Sequence, residues 1–186
     1  MSEKTEDLKV NPGPLGLIGF GMTTILLNLH NAGIIELSIV IAAMGFALGG
    51  AAQIIAGIFE MRNGNTFGGT AFVSYGFFWW SLILIWWNPG GAMEAADKTS
   101  MGFYLSLWAI FTGFMFIGTL THNRAIQVVF SSLTVLFILL AIGDFTHSEA
   151  VTNVAGWVGI FCGSSAMYAS LVQVINHEHG RQVLPL

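Results

Sequence analysis

NGNTFGGTAFVSYGFFWWSLILIWWNPGGAM, residues 63–93, runs for 31 residues without a formal charge. A helix crosses a hydrocarbon slab with about 20 consecutive apolar residues. This window is therefore long enough for one span and its flanks. Asn63-Gly64-Asn65 opens it and Asn88-Pro89-Gly90-Gly91 closes it, and both are ordinary helix breaks. The same pattern repeats on either side. Six uncharged stretches, 14–30, 37–59, 67–87, 100–121, 125–143 and 150–176, hold none of the six Lys/Arg or ten Asp/Glu. Six such stretches in 186 residues leave little for a soluble domain. The expected fold is all-α and polytopic, with six transmembrane helices per subunit. Residues 1–186 read as one integral membrane domain, with solvated tails at 1–10 and 177–186.

Composition points the same way. Charged residues make up 9% of the chain, against about 25% in a soluble domain. The six basic residues are scattered, which excludes a nucleic-acid footprint. Met1 to Val10 mixes Glu3, Lys4, Glu6, Asp7 and Lys9. It lacks the apolar core of a signal peptide. With the N-terminus inside, Lys4, Lys9, Arg62, Arg124 and Arg181 fall on the cytoplasmic face, and Lys98 alone falls opposite. That bias predicts cytoplasmic N- and C-termini in the inner or plasma membrane. Trp86 and Trp87 fit an interfacial anchor, and Trp79 and Trp80 lie deeper. The single cysteine, Cys162, reads as a small buried core residue.

Two glycine patterns lie within spans, Gly45-Phe46-Ala47-Leu48-Gly49 and Gly159-Ile160-Phe161-Cys162-Gly163. Such spacing lets helix backbones approach closely, either within one chain or between subunits. The five histidines, His30, His122, His147, His177 and His179, all sit at span ends or in loops. No His/Cys/Asp/Glu cluster has metal-ligand spacing, and no serine has a base at depth. Neither a metal, a cofactor nor an enzyme is expected. Proton-relay transporters place acids or histidines inside spans. Here Glu36 and Glu60 stand at span edges, and Glu60 and Arg62 read as a surface ion pair. A transported solute would then be met by amides, hydroxyls, helix ends and rings.

Asn11-Pro12-Gly13-Pro14-Leu15-Gly16-Leu17 leads into the first span. Pro14 suits a first helical turn, and the free N–H groups behind Asn11 suit an anion. Entering a first span, this stretch resembles the acetate uptake transporter family of succinate–acetate permeases. The likeness continues in order. Gly19-Phe20-Gly21-Met22-Thr23-Thr24, Gly49-Gly50-Ala51-Ala52-Gln53 and Gly64-Asn65-Thr66-Phe67-Gly68 come first. Ser74-Tyr75-Gly76, Ser132-Leu133-Thr134 and Ala155-Gly156-Trp157 follow. Gly13 stands where the family commonly has Ala. The resemblance implies a hexameric ring with one pathway per subunit, carrying acetate and, less well, succinate or related small carboxylates. It also implies an apolar constriction of Phe20, Tyr75 and Leu133.

The residues support that site independently. Phe20, Thr23, Thr24 and Leu27 follow helical spacing, so one face carries a ring, hydroxyls and an aliphatic group. The expected substrate-binding polar groups are Asn11, Thr23, Gln53, Thr70, Ser74 and Thr134. Gln53 is a buried amide that binds either substrate or a neighbouring backbone. Thr23 and Thr70 either face the pathway or bond their own preceding carbonyls. An apolar neck resists a bare carboxylate by at least several kcal/mol. Either polar groups replace its hydration shell, as in an anion channel, or the solute crosses with a proton. Two other readings stay open: a neutral-solute channel for urea, short amides or ammonia, and a non-transporting membrane scaffold.

Overall fold

The polar breaks in the sequence supply the helix starts. The computed structural model describes residues 10–88, 91 and 94–186. Residues 1–9, which hold Lys4, Lys9 and nearly all of the expected N-terminal tail, lie outside the described residues. Asn65, Asp97, Asn123 and Ser148 each accept a backbone N–H three residues on, capping the helix that follows. Side-chain caps of this kind satisfy donors that a helix start leaves without a partner.

Among the described residues, seven α-helices form six rods. They are α1 (Gly13–Asn31), α2 (Ile39–Met44), α3 (Gln53–Arg62), α4 (Thr66–Trp87), α5 (Lys98–Gly118), α6 (Arg124–Thr146) and α7 (Glu149–Glu178). Helices α2 and α3 are one continuous rod, joined by a π-helical stretch, Gly45–Ala52. No local sequence pattern marks that wider winding. The other rods match the expected spans to within about three residues at most ends, and the second starts at Ile39 rather than 37.

Among the described residues, five rods are long and apolar enough to cross a membrane: Ile39–Arg62, Thr66–Trp87, Lys98–Thr121, Arg124–Thr146 and Glu149–Glu178. Helix α1 is long enough but less apolar, because it carries Thr23, Thr24, Asn28 and His30. Thr23, Thr24 and Asn28 are buried. Thr23 donates to Gly19 O at 2.7 Å and Asn28 to Thr24 O at 2.8 Å. With those polar groups satisfied within the helix, α1 can be enclosed by α7 and the α2–α3 rod, its main packing partners. Large apolar side chains cover the outside instead. Phe46, Phe77, Phe103, Leu107, Phe114 and Phe161 are each more than half exposed, a surface suited to lipid rather than water.

Both glycine patterns pack within the chain. A Cβ at Gly163 would stand 2.8 Å from Gly21 O, and one at Gly21 would stand 2.8 Å from Gly163 O. The α1 and α7 backbones are therefore in direct contact there. Gly159 lies against Asn28, and Gly45 and Gly49 lie against the ring of Trp79. Trp79 is a packing residue, 2% exposed. Trp80 stacks on Phe46 and donates its indole N–H to Phe46 O at 3.0 Å. That bond holds a carbonyl within the π-helical stretch. Cys162 is buried and free, as expected.

The expected Glu60–Arg62 ion pair does not form. Glu60 turns inward, 6% exposed, and accepts a 2.7 Å hydrogen bond from Asn65. Arg62 lies over the ring of Phe59 instead. Helical geometry explains the correction: residues two apart do not face each other.

Candidate functional site

Rods one, three and five, α1, α4 and α6, run in the same direction, since successive rods alternate. Their N-terminal ends meet at one end of the molecule. There they enclose a vestibule of about 180 Å³, reached by Asn11 and Gly13 before and at the start of α1, Asn65 and Gly68 at the start of α4, and Asn123 and Ile126 at the start of α6. Helix N-termini carry partial positive charge, so this mouth favours an anion. Asn11 is exposed, accepts from Gly13 N at 3.0 Å and donates to Gln173 at 3.3 Å.

The site then descends in layers. Leu17, Ala71, Phe72 and Phe130 border both the vestibule and a second, deeper cavity. One helical turn further, three or four residues along each rod, stand Phe20, Tyr75 and Leu133. All three border the deeper cavity and are 6%, 3% and 2% exposed. The Phe20 and Tyr75 rings lie 6.0 Å apart, tilted by 48°. The cavity measures about 20 Å³, room for little more than one water molecule. Side chains must part before anything larger can pass.

Few backbone approaches link α4 to the α5–α6 pair. Aromatic rings fill the gap, with Tyr75 against Phe111 at 5.6 Å, Trp108 at 5.9 Å and Phe130 at 6.1 Å. The Tyr75 hydroxyl bonds Thr112 at 2.9 Å. Thr112 is wholly buried on α5, and sequence reading missed it. Only the demand of a buried hydroxyl for a partner pointed to such a residue.

Gln53 brings an amide side chain to the wall of the deeper cavity. It is 0% exposed, and neither its amide nitrogen nor its carbonyl oxygen has a partner among the described residues. It borders the cavity beside Phe20, Tyr75 and Leu133. It follows the π-helical stretch as the first residue of α3. Leaving such a group without a partner costs about 1–3 kcal/mol, so it calls for a functional role or for a bound water, ion or ligand.

The remaining candidates sit elsewhere. Thr23 spends its donor on Gly19 O. Thr134 donates to Phe130 O at 2.8 Å, and its methyl faces Gly113 of α5. Thr70 and Ser74 are half-buried on α4, and neither borders the two cavities described. The structure thus brings Phe20, Tyr75, Leu133 and Gln53 together and puts Asn11 at the mouth.

Comparison with known proteins agrees with this geometry. The succinate-acetate/proton symporter SatP of Escherichia coli K12 is 54% identical, over 95% of this chain and 94% of that protein. The ammonia transport outward protein 2 of Saccharomyces cerevisiae is 37% identical, over 91% of this chain and 63% of its own length. The solved structure of the bacterial acetate channel SatP matches with a TM-score of 0.93 and 53% identity, over 95% of this chain and 98% of that one. These relatives are transporters and channels, not enzymes. The model of the GPR1/FUN34/yaaH family matches residues 2–185. An all-helical, multi-pass membrane protein with a layered mouth and neck, the chain belongs to the GPR1/FUN34/yaaH family.

Proposed function

We propose that this chain carries acetate and, less readily, succinate and related small carboxylates across the inner or plasma membrane. The pathway runs from the vestibule through the neck of Phe20, Tyr75 and Leu133. Each subunit of a hexameric ring holds one pathway, and both termini face the cytoplasm. The observation that carries this reading is Gln53, a buried amide with both ends free beside three apolar neck residues. Its N–H groups can donate to a carboxylate while the rings meet the methyl group. Asn11 and the three helix starts gather anions at the mouth, and the neck imposes the desolvation barrier. Passage with a proton lowers that barrier, because the neutral acid needs far less solvation. The positive helix ends favour an anion over a neutral solute such as ammonia.

The test is labelled-acetate flux into proteoliposomes under imposed pH gradients and voltages, beside Tyr75→Ala. Acetate uptake is expected from the wild-type chain, with succinate gaining relative to acetate in the widened variant. Current that follows voltage means an anion channel, and electroneutral flux that follows the proton gradient means co-transport. Absence of acetate flux from correctly assembled protein, with ammonia flux in its place, would overturn the reading.

A further inference from the structure

Glu60 is a buried carboxylate in the wall of the vestibule. It stands between two helix starts: a Cβ at Gly13 would lie 3.4 Å from its Oε1, and one at Gly68 would lie 3.1 Å from its Cδ. Its Oε2 accepts from Asn65, the residue that caps α4. No cation is paired with it among the described residues, where the one ion pair joins His177 to Glu178. Glu60 therefore places its own negative charge where the helix starts create a site for an anion. An incoming carboxylate meets that charge before it reaches the neck.

We propose that Glu60 is the proton-binding group of the pathway. Ionised, it occupies the anion site and repels a carboxylate at the mouth. Protonated, it removes that repulsion and offers an O–H donor. Transfer of the proton breaks the Glu60 O–H bond and forms one on the substrate carboxylate. The substrate leaves for the neck as a neutral acid, and Glu60 regains its proton from water in the mouth. Passage in the opposite direction reverses each step: the acid emerging from the neck returns its proton to Glu60, which releases it to the mouth.

Among the described residues, the other groups around Glu60 leave it this role. On its own helix Arg62 is exposed and lies over Phe59. The packed starts of α1 and α4 offer Asn11, Gly13, Asn65 and Gly68, none of which titrates. From α7 comes neutral Gln173, with the exposed His177–Glu178 pair beyond it. The turn before α6 contributes His122, which borders the vestibule, and then exposed Arg124. His122 is therefore the second titratable group to control.

This inference rests on the carboxylate pathway proposed above. The experiment compares acetate flux in wild type and Glu60→Gln from about pH 4 to about pH 8. The substrate's own titration cancels in the ratio of variant to wild type. Gln keeps an acceptor for Asn65, so a monodisperse, folded variant is expected. The ratio should rise at least about fivefold toward high pH, the scale of one like-charge repulsion removed across about 4 Å of water. The rise should persist in a His122→Asn background. Infrared difference spectra of the unaltered protein should show a carboxyl band between acid and neutral pH that Glu60→Gln lacks. A constant ratio, a rise that vanishes with His122→Asn, or an unchanged infrared band would overturn the assignment to Glu60 while leaving the pathway intact. No acetate flux from the wild-type chain would remove the pathway, and this inference with it.

Discussion

At the residue scale, the site rests on two polar side chains whose surroundings differ sharply. Gln53 is buried with no partner, whereas Tyr75 is buried with its hydroxyl bonded to Thr112. Tyr75 is thus a fixed wall of the neck, and Gln53 is an amide whose two ends are both unmet. This gives a prediction that separates function from packing. Gln53→Leu keeps a similar volume and removes two unmet hydrogen-bonding ends. Replacing such an amide by an apolar group is neutral or stabilising, by up to about 1–3 kcal/mol. Thermal unfolding in detergent should therefore show unchanged or raised stability, while acetate flux falls about tenfold, the value of one lost hydrogen bond to a charged ligand. A fall in both together would mean that Gln53 is structural. The sequence named Gln53, Phe20, Tyr75 and Leu133 because motif and spacing are local properties. It misread Glu60, since adjacency to Arg62 in sequence says nothing about which way a helix turns each side chain.

At the element scale, the α1–α7 contact holds the pathway's first wall in place. Gly21 and Gly163 let the two backbones touch, and Ser170 of α7 donates to Pro14 O at 2.7 Å across the same interface. Backbone atoms cannot step aside for a methyl group as a flexible side chain can. Gly163→Ala should push the helices apart and destabilise the fold by about 1–3 kcal/mol, as overpacking does. The expected readout is a lower unfolding temperature and a reduced yield of folded protein. Equal stability would show that α1 can shift, and with it Phe20. The π-helical stretch was invisible in the sequence, and the contacts it makes lie between rods: Gly50 lets the Trp80 indole lie against its backbone, and Trp80 holds Phe46 O. Glycine spacing announced close packing, but only the structure showed that both patterns close within one chain.

At the scale of the whole molecule, three parallel rods put their N-termini at one mouth and their apolar faces one turn deeper. Electrostatic attraction and desolvation are thereby arranged in series along one path. Five rods present broad apolar faces outward, and α1 keeps its polar residues inside. A ring of copies around such subunits is the expected assembly. Native mass measurement in mild detergent should give six copies of the 20.0 kDa chain. A monodisperse monomer with full acetate flux would show that each subunit works alone and that the ring is dispensable.

The sequence by itself determined the number of rods, their boundaries and their alternation, because charge exclusion from hydrocarbon acts along the chain and leaves its mark residue by residue. Its motifs also named the neck and Gln53. Which polar groups face one another was decided by the tertiary structure alone. Glu60 against the starts of α1 and α4, Thr112 against Tyr75, and Thr134 against α5 rather than the neck all depend on how rods rotate as they pack. That rotation is set by close packing between segments far apart in sequence, and no local pattern records it.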